Sequence, residues 1–132
     1  MATVNDYREL RVWRRAMDMA EAVYRLSRML PKEERYGLIS QLTRAASSVP
    51  ANIAEGFRRG TRKDYANFIS MARGSCAEVE TFLLLVERVA LAPEAEIRAT
   101  LEIVEEVARM LTRLRVALLQ APRPQALTPR LA

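Results

Sequence analysis

Glu55 and Glu78 come nearest to a catalytic pair in this sequence, one carboxyl serving as acid and the other as base. Nothing around them completes such a site. The chain has no histidine, which removes His-based nucleophilic triads, most zinc sites and the Glu-x-x-His ligands of di-metal carboxylate bundles. Its single cysteine, Cys76, excludes an intramolecular disulfide and falls on an apolar helical stripe, where it reads as a small core residue rather than a nucleophile. Gly56 and Gly60 are too few for a phosphate-cradling loop and follow no strand. These residues predict a non-enzymatic protein that needs no cofactor and no metal, with no catalytic residues to assign. An enzyme working through the Glu55 and Glu78 carboxylates is the weakest alternative.

Binding chemistry has more support. Lysine and arginine number 21 against 16 aspartates and glutamates, a net charge of +5, and only Lys32 and Lys63 are lysines, which leaves 19 arginines. The planar guanidinium fork suits phosphate and carboxylate, so the bias fits an anionic partner. A genome that spells cationic residues as arginine would produce the same bias with no partner at all. Trp13 and Tyr24 can stack on bases, but read more simply, with Phe57 and Phe68, as core or interface aromatics.

The elements that must position these residues are helices. Val12, Ala16, Met19, Val23, Leu26 and Leu30 recur at spacings of three and four, predicting a helix from about Arg11 to Leu30. Trp13, Met17, Ala20 and Tyr24 form an adjoining stripe, and the combined arc is wider than one packed face requires. Pro31 stops this helix. A second spans about Lys32 to Arg58. It runs through Pro50 as one kinked helix, because the stripe of Val49 and Ile53 keeps its phase across the proline. Gly60 is placed to end it as a left-handed cap. Thr61 followed by Asp64 resembles a capping box and opens a third helix to about Leu91. Pro93, Glu94 and Glu96 suit the start of a fourth, whose seam runs from Ile97 to Leu118. Long helices joined by short turns fold back on one another. The predicted fold is all-α, an antiparallel up-down-up-down four-helix bundle occupying residues 1–120, followed by a proline-rich disordered tail at 121–132.

That topology gathers the start of helix 1, the end of helix 2, the start of helix 3 and the end of helix 4. Ten cations against four acids collect there, a surplus of six. Arg11, Arg14, Arg15, Arg58, Arg59, Arg62, Lys63, Arg113 and Arg115 are the candidate nucleic-acid-binding residues, able to attract RNA or DNA backbones. The bland alternative is that arginines at helix C-termini merely complement helix dipoles. A second constellation, Arg44, Ser48, Asn52 and Glu55 on helix 2 with Gly74, Ser75 and Glu78 on helix 3, reads as a structural polar stripe that locks the two helices or a subunit contact. Asn52 is placed to reach a carbonyl freed by Pro50, and Gly74 suggests close approach of another helix. If the stripe is buried, removing the Asn52 or Glu55 side chain costs about 1–3 kcal/mol. The first residues lack the apolar stretch of a signal peptide and no uncharged segment is long enough to cross a bilayer, so no membrane is expected and the cytoplasm is the default location.

Several stretches together resemble a known family: Leu10 to Ala16, Pro31 with Glu34 to Leu38, Gln41 to Gly56, and Ala72 to Glu78. They are similar to the small four-helix-bundle proteins encoded in intervening sequences of bacterial 23S ribosomal RNA genes, also labelled S23 ribosomal proteins. The resemblance covers about residues 7–120. Its most specific part is Ser48, Pro50, Asn52, Ile53, Ala54, Glu55 and Gly56, with Gln41 and Arg44 before it and Gly74, Ser75 and Glu78 as a second signature. Such a resemblance implies a homopentameric ring of bundles, in which the wide apolar arc of helix 1 is core plus subunit contact. It implies no enzymatic activity. A related group, the accessory variability protein of diversity-generating retroelements, binds nucleic acid and a reverse transcriptase. The expectation is therefore an oligomeric scaffold that binds RNA or DNA through a basic bundle end, or alternatively a protein–protein interaction scaffold with a specific protein partner.

Overall fold

Asp6 accepts a hydrogen bond from the Arg8 backbone N–H at 2.8 Å, which fixes a single 3-10 turn at Tyr7–Glu9. The computed structural model describes residues 4–120; the proline-rich segment 121–132 expected as a tail lies outside the described residues. After the turn comes α1, Arg11–Ser27. Its core face is as the spacing predicts, with Val12, Ala16, Met19 and Val23 fully buried. The helix stops one turn earlier than Leu30. Ser27 turns its hydroxyl back to the Val23 carbonyl at 2.8 Å, and the following residues close as tight turns on Arg25, Leu26 and Ser27.

The largest departure from expectation is the start of the second helix. Residues 32–34 make a separate 3-10 turn, and Arg35–Ile39 form one wide π turn in which Gly37 leaves helical geometry altogether, at φ −107° and ψ −109°. Glycine relaxes the steric limits that hold other residues in the helical well, so the apolar phase carries on while the backbone does not. The regular helix α2 is Ser40–Phe57, and it passes through Pro50 without ending. Gly60 has no left-handed backbone. The expected cap is absent there, and α2 closes by ordinary turns, the Arg58 N–H donating to the Ala54 and Glu55 carbonyls and the Arg59 N–H to the Gly56 carbonyl.

Thr61 caps α3, Arg62–Arg88, by accepting the Asp64 N–H at 3.1 Å. Only one described residue other than glycine has positive φ: Ala90, at 55°. It sits where a glycine would be expected, with Ala90 N–H donating to the Glu87 carbonyl and Leu91 N–H to the Val86 carbonyl. This pair of bonds satisfies the last carbonyls of α3. Pro93 then precedes α4, Glu94–Leu119.

The described residues are thus all-helical, with four helices. α1 packs on α2 and α4, and α3 packs on α2 and α4. Between them lies one core, in which Met19, Leu42, Ile53, Ile69, Leu83, Ile97 and Leu111 are among the largest fully buried side chains. Burying each of these contributes roughly 1.5–3 kcal/mol. No helix among the described residues is long and apolar enough to cross a membrane.

Candidate functional site

Tyr7 leads to the site. The turn before α1 holds its ring against the end of α2, where the Arg58 guanidinium carbon lies 5.4 Å from the ring centroid. Arg8 lies 5.6 Å from the same centroid, and Trp13 meets the ring edge-on at 5.4 Å. Arg8 also binds Asp6 through its side chain, at 2.8 Å. The Arg8 hydrogen bonds, from side chain and then backbone, hold the Asp6 carboxyl down at about 2, with a further attraction from Arg58. A shallow groove of about 430 Å³ runs from Tyr7 past Ala51, Ala54 and Glu55 to Arg58 and Arg59.

The start of α3 meets the end of α4. The Arg62 guanidinium donates to the Ala117 carbonyl at 2.7 Å and to the Leu118 carbonyl at 3.3 Å. It thereby covers two of the acceptors that every helix leaves open at its C-terminus, where the dipole favours a cation. Contacts at Tyr7–Arg58 and Arg62–Leu118 bring the approach to α1, the end of α2, the start of α3 and the end of α4 into one neighbourhood.

The nine candidate cations are not equivalent. Arg15 forms a two-pronged pair with Glu106 of α4, at 2.9 and 3.2 Å, and also reaches Asp18. These carboxylates raise its pKa further, the Glu106 hydrogen bond most. Arg59 pairs with Glu55 at 2.9 Å and lies 4.6 Å over the Phe68 ring. Arg14 donates to the Arg8 carbonyl at 2.9 Å. Arg115 is half-buried, and its Nε has no partner among the described residues. Arg11, Lys63 and Arg113 are exposed, and no hydrogen bond or ion pair to another described residue holds them.

The polar stripe divides too. Ser48 and Ser75 hydroxyls lie 2.8 Å apart and tie α2 to α3. Asn52 donates to the Ser48 carbonyl at 2.8 Å and the Ser48 hydroxyl at 3.0 Å. Its acceptor is therefore the carbonyl one turn back from itself, not the Ala46 carbonyl that Pro50 frees. Arg44, Glu55, Gly74 and Glu78 are exposed. A Cβ placed on Gly74 would meet nothing within 4 Å, so this glycine marks no close helix approach within the chain. The close approach is at Gly56, packed on Tyr65 and Phe68 of α3. With Glu55 about half exposed and paired only to Arg59, its removal costs at most about 1 kcal/mol. The larger expected cost is confined to the Ser48–Asn52–Ser75 cluster.

Beside the first groove, and sharing Tyr7, Ala51 and Ala54 with it, is a second of about 540 Å³ between α1 and α2, lined by Trp13, Met17, Tyr24 and Pro50. Cys76 is buried, and burial above all, with Glu80 nearby, pushes its thiol up to about 12, which makes it unreactive at neutral pH. No group of acidic or cysteine side chains among the described residues could hold a metal ion. Sequence reasoning missed Tyr7 and Glu106. Tyr7 had a usable signal, an aromatic beside Arg8 just before the first helix; Glu106 had none, since it differs from Glu105 only by helical phase.

Four packed helices and a cation-rich meeting of helix ends define a small all-helical protein. The chain belongs to the 23S rRNA-intervening sequence protein family, whose model matches residues 8–113. A crystal structure of a protein with unknown function from the S23 ribosomal protein family of Bacteroides thetaiotaomicron is similar, with a TM-score of 0.74 and 22% identity over 79% of this chain and 97% of that one. At that identity the likeness is one of fold. No curated protein matches the sequence closely enough to lend it an activity.

Proposed function

We propose that the protein is a non-enzymatic oligomeric scaffold that binds RNA or DNA through its cationic end. The observation that carries this reading is the meeting of helix ends around Tyr7, Arg58 and Arg62. It supports an antiparallel, up-down-up-down course for the four helices, in which Arg11, Arg58, Lys63 and Arg113 share one end. A surface of that kind attracts phosphate backbones and loses them as salt rises, because bound counterions are released on contact. The oligomer, a ring of five in the family reading, is supported by large apolar side chains left on the surface, among them Met17, Tyr24, Leu84 and Leu85. Titrating structured RNA and duplex DNA at low and moderate salt tests the binding. Micromolar or tighter affinity that weakens with salt is expected, and no binding at low salt rejects the reading.

A second reading, a protein–protein interaction scaffold without nucleic-acid binding, is favoured by the apolar α1–α2 groove. A specific protein partner that copurifies, with no nucleic-acid shift, would decide for it. The acid–base reading of Glu55 and Glu78 gains no support. From the Ser48–Ser75 contact they lie in opposite directions along the paired helices, about 15 Å apart at the helical rise of about 1.5 Å per residue.

A further inference from the structure

The aromatic rings at the cationic end have their faces or edges already taken. Tyr7 carries Arg8 and Arg58 over its ring and Trp13 at its edge, Arg59 covers Phe68, and Phe57 and Tyr65 pack against each other at 6.1 Å. The strongly exposed aromatics are elsewhere: Tyr24 near the far end of α1, and Tyr36, 90% exposed, in the connection to α2. Single strands are held by bases stacking on open aromatic faces beside a basic groove. At the basic surface only the partly exposed Tyr7 and Trp13 edges reach a groove, and Tyr7 is already flanked by two guanidinium groups.

The cations themselves are also sorted. Arg15, Arg59 and Arg62 are committed to carboxylates or to the last carbonyls of α4, and Arg115 is half-buried. Arg11, Lys63 and Arg113 project from rigid helices with no partner among the described residues. Arg58 is steadied by Tyr7 and feels Asp6, which Arg8 already binds, but no ion pair consumes it. Resting on the nucleic-acid reading above, we infer that this end takes the phosphate backbone of a double-stranded nucleic acid without reading its bases, and that Arg11, Arg58, Lys63 and Arg113 make the contacts. A duplex presents about one charge per 1.7 Å at regular spacing, which suits fixed cations that offer no stacking surface.

The test uses the full chain with a short blunt DNA duplex and oligothymidine of the same length, each over a range of salt. The duplex should bind at least about tenfold more tightly at equal salt, since it alone offers the dense phosphate array. Arg11→Gln, Arg58→Gln, Lys63→Gln and Arg113→Gln should each flatten the log–log salt slope by about 0.9 for every phosphate left unneutralised. Arg15→Gln and Arg62→Gln should lower the unfolding midpoint and flatten the slope less than any of those four. Oligothymidine binding as tightly as the duplex overturns the inference while sparing the broader reading. So does a slope that falls as much in Arg15→Gln and Arg62→Gln as in the other four. Failure of the unaltered chain to bind either probe overturns both.

Discussion

Gly56 lies where α2 packs tightly on α3: a Cβ built there would stand 2.8 Å from the Phe68 Cβ and 3.0 Å from Tyr65 Cδ1. Neither neighbour is the free end of a flexible side chain, so the helices must separate. Gly56→Ala should therefore cost about 2 kcal/mol, in the range of overpacked cores. Gly74, exposed in the middle of α3, should behave oppositely, with Gly74→Ala adding up to about 1 kcal/mol through helix propensity. Urea unfolding of the two variants measures both, and effects of the same sign would reject the assignment. Both glycines lie within predicted helices, and the sequence pattern alone does not say which one faces a neighbour. Asp6 offers a pH-dependent counterpart. Its folded pKa is depressed from an ordinary 3.8 to about 2, so its contribution is present above 3.8 and disappears as the pH falls through about 2. That bond caps the turn carrying Tyr7. An NMR titration of the Asp6 carboxyl should show a midpoint near 2 that returns to the ordinary range in Arg8→Gln; an ordinary midpoint in the unaltered chain would show the Arg8 bonds to be unoccupied in solution.

Helix interiors were legible because burial repeats with the helical period, as at Val12, Ala16, Met19 and Val23. Their ends were less so, because a terminus depends on one residue's backbone rather than on a repeat. Gly60 had the right chemistry for a left-handed cap and does not use it, whereas Ala90 adopts that conformation without the chemistry. Closing α3 onto Glu87 and Val86 requires positive φ at this position, and an alanine there bears roughly 1 kcal/mol of steric strain. Ala90→Gly should relieve most of it, raising stability by about 0.5–1 kcal/mol in thermal or urea unfolding. A loss of stability would mean that the glycine's added freedom in the unfolded chain outweighs the relief. The polar stripe was half legible for a related reason. Spacing put Ser48, Asn52 and Ser75 together, but the depth of each side chain between α2 and α3 depends on how the helices are rotated. That rotation places Ser75 inside and Glu78 outside.

For the whole molecule the unsettled surface is the broad apolar arc of α1. Its inner half, Val12 to Leu26, closes the core, while Met17 and Tyr24 stay nearly half exposed along the groove with α2. Leu84 and Leu85 are comparably exposed on α3, and Val89 just after its end. A ring of identical subunits needs two different patches that fit each other, since each copy meets one neighbour with one face and the next with another. Two separate apolar surfaces meet that requirement, and covering either removes area worth roughly 25 cal/mol per Å² from water. Met17→Glu places a charge in the groove without touching the buried face of α1. It should leave the helical signal unchanged and shift the mass in solution from oligomer toward monomer, read by light scattering with and without duplex DNA. Leu85→Glu should do the same from the other surface. An unaltered chain that stays monomeric at tens of micromolar, alone and with duplex, would reject the ring. An oligomer indifferent to both substitutions would move the contact to the polar α2–α3 face, where Gly74 lies open.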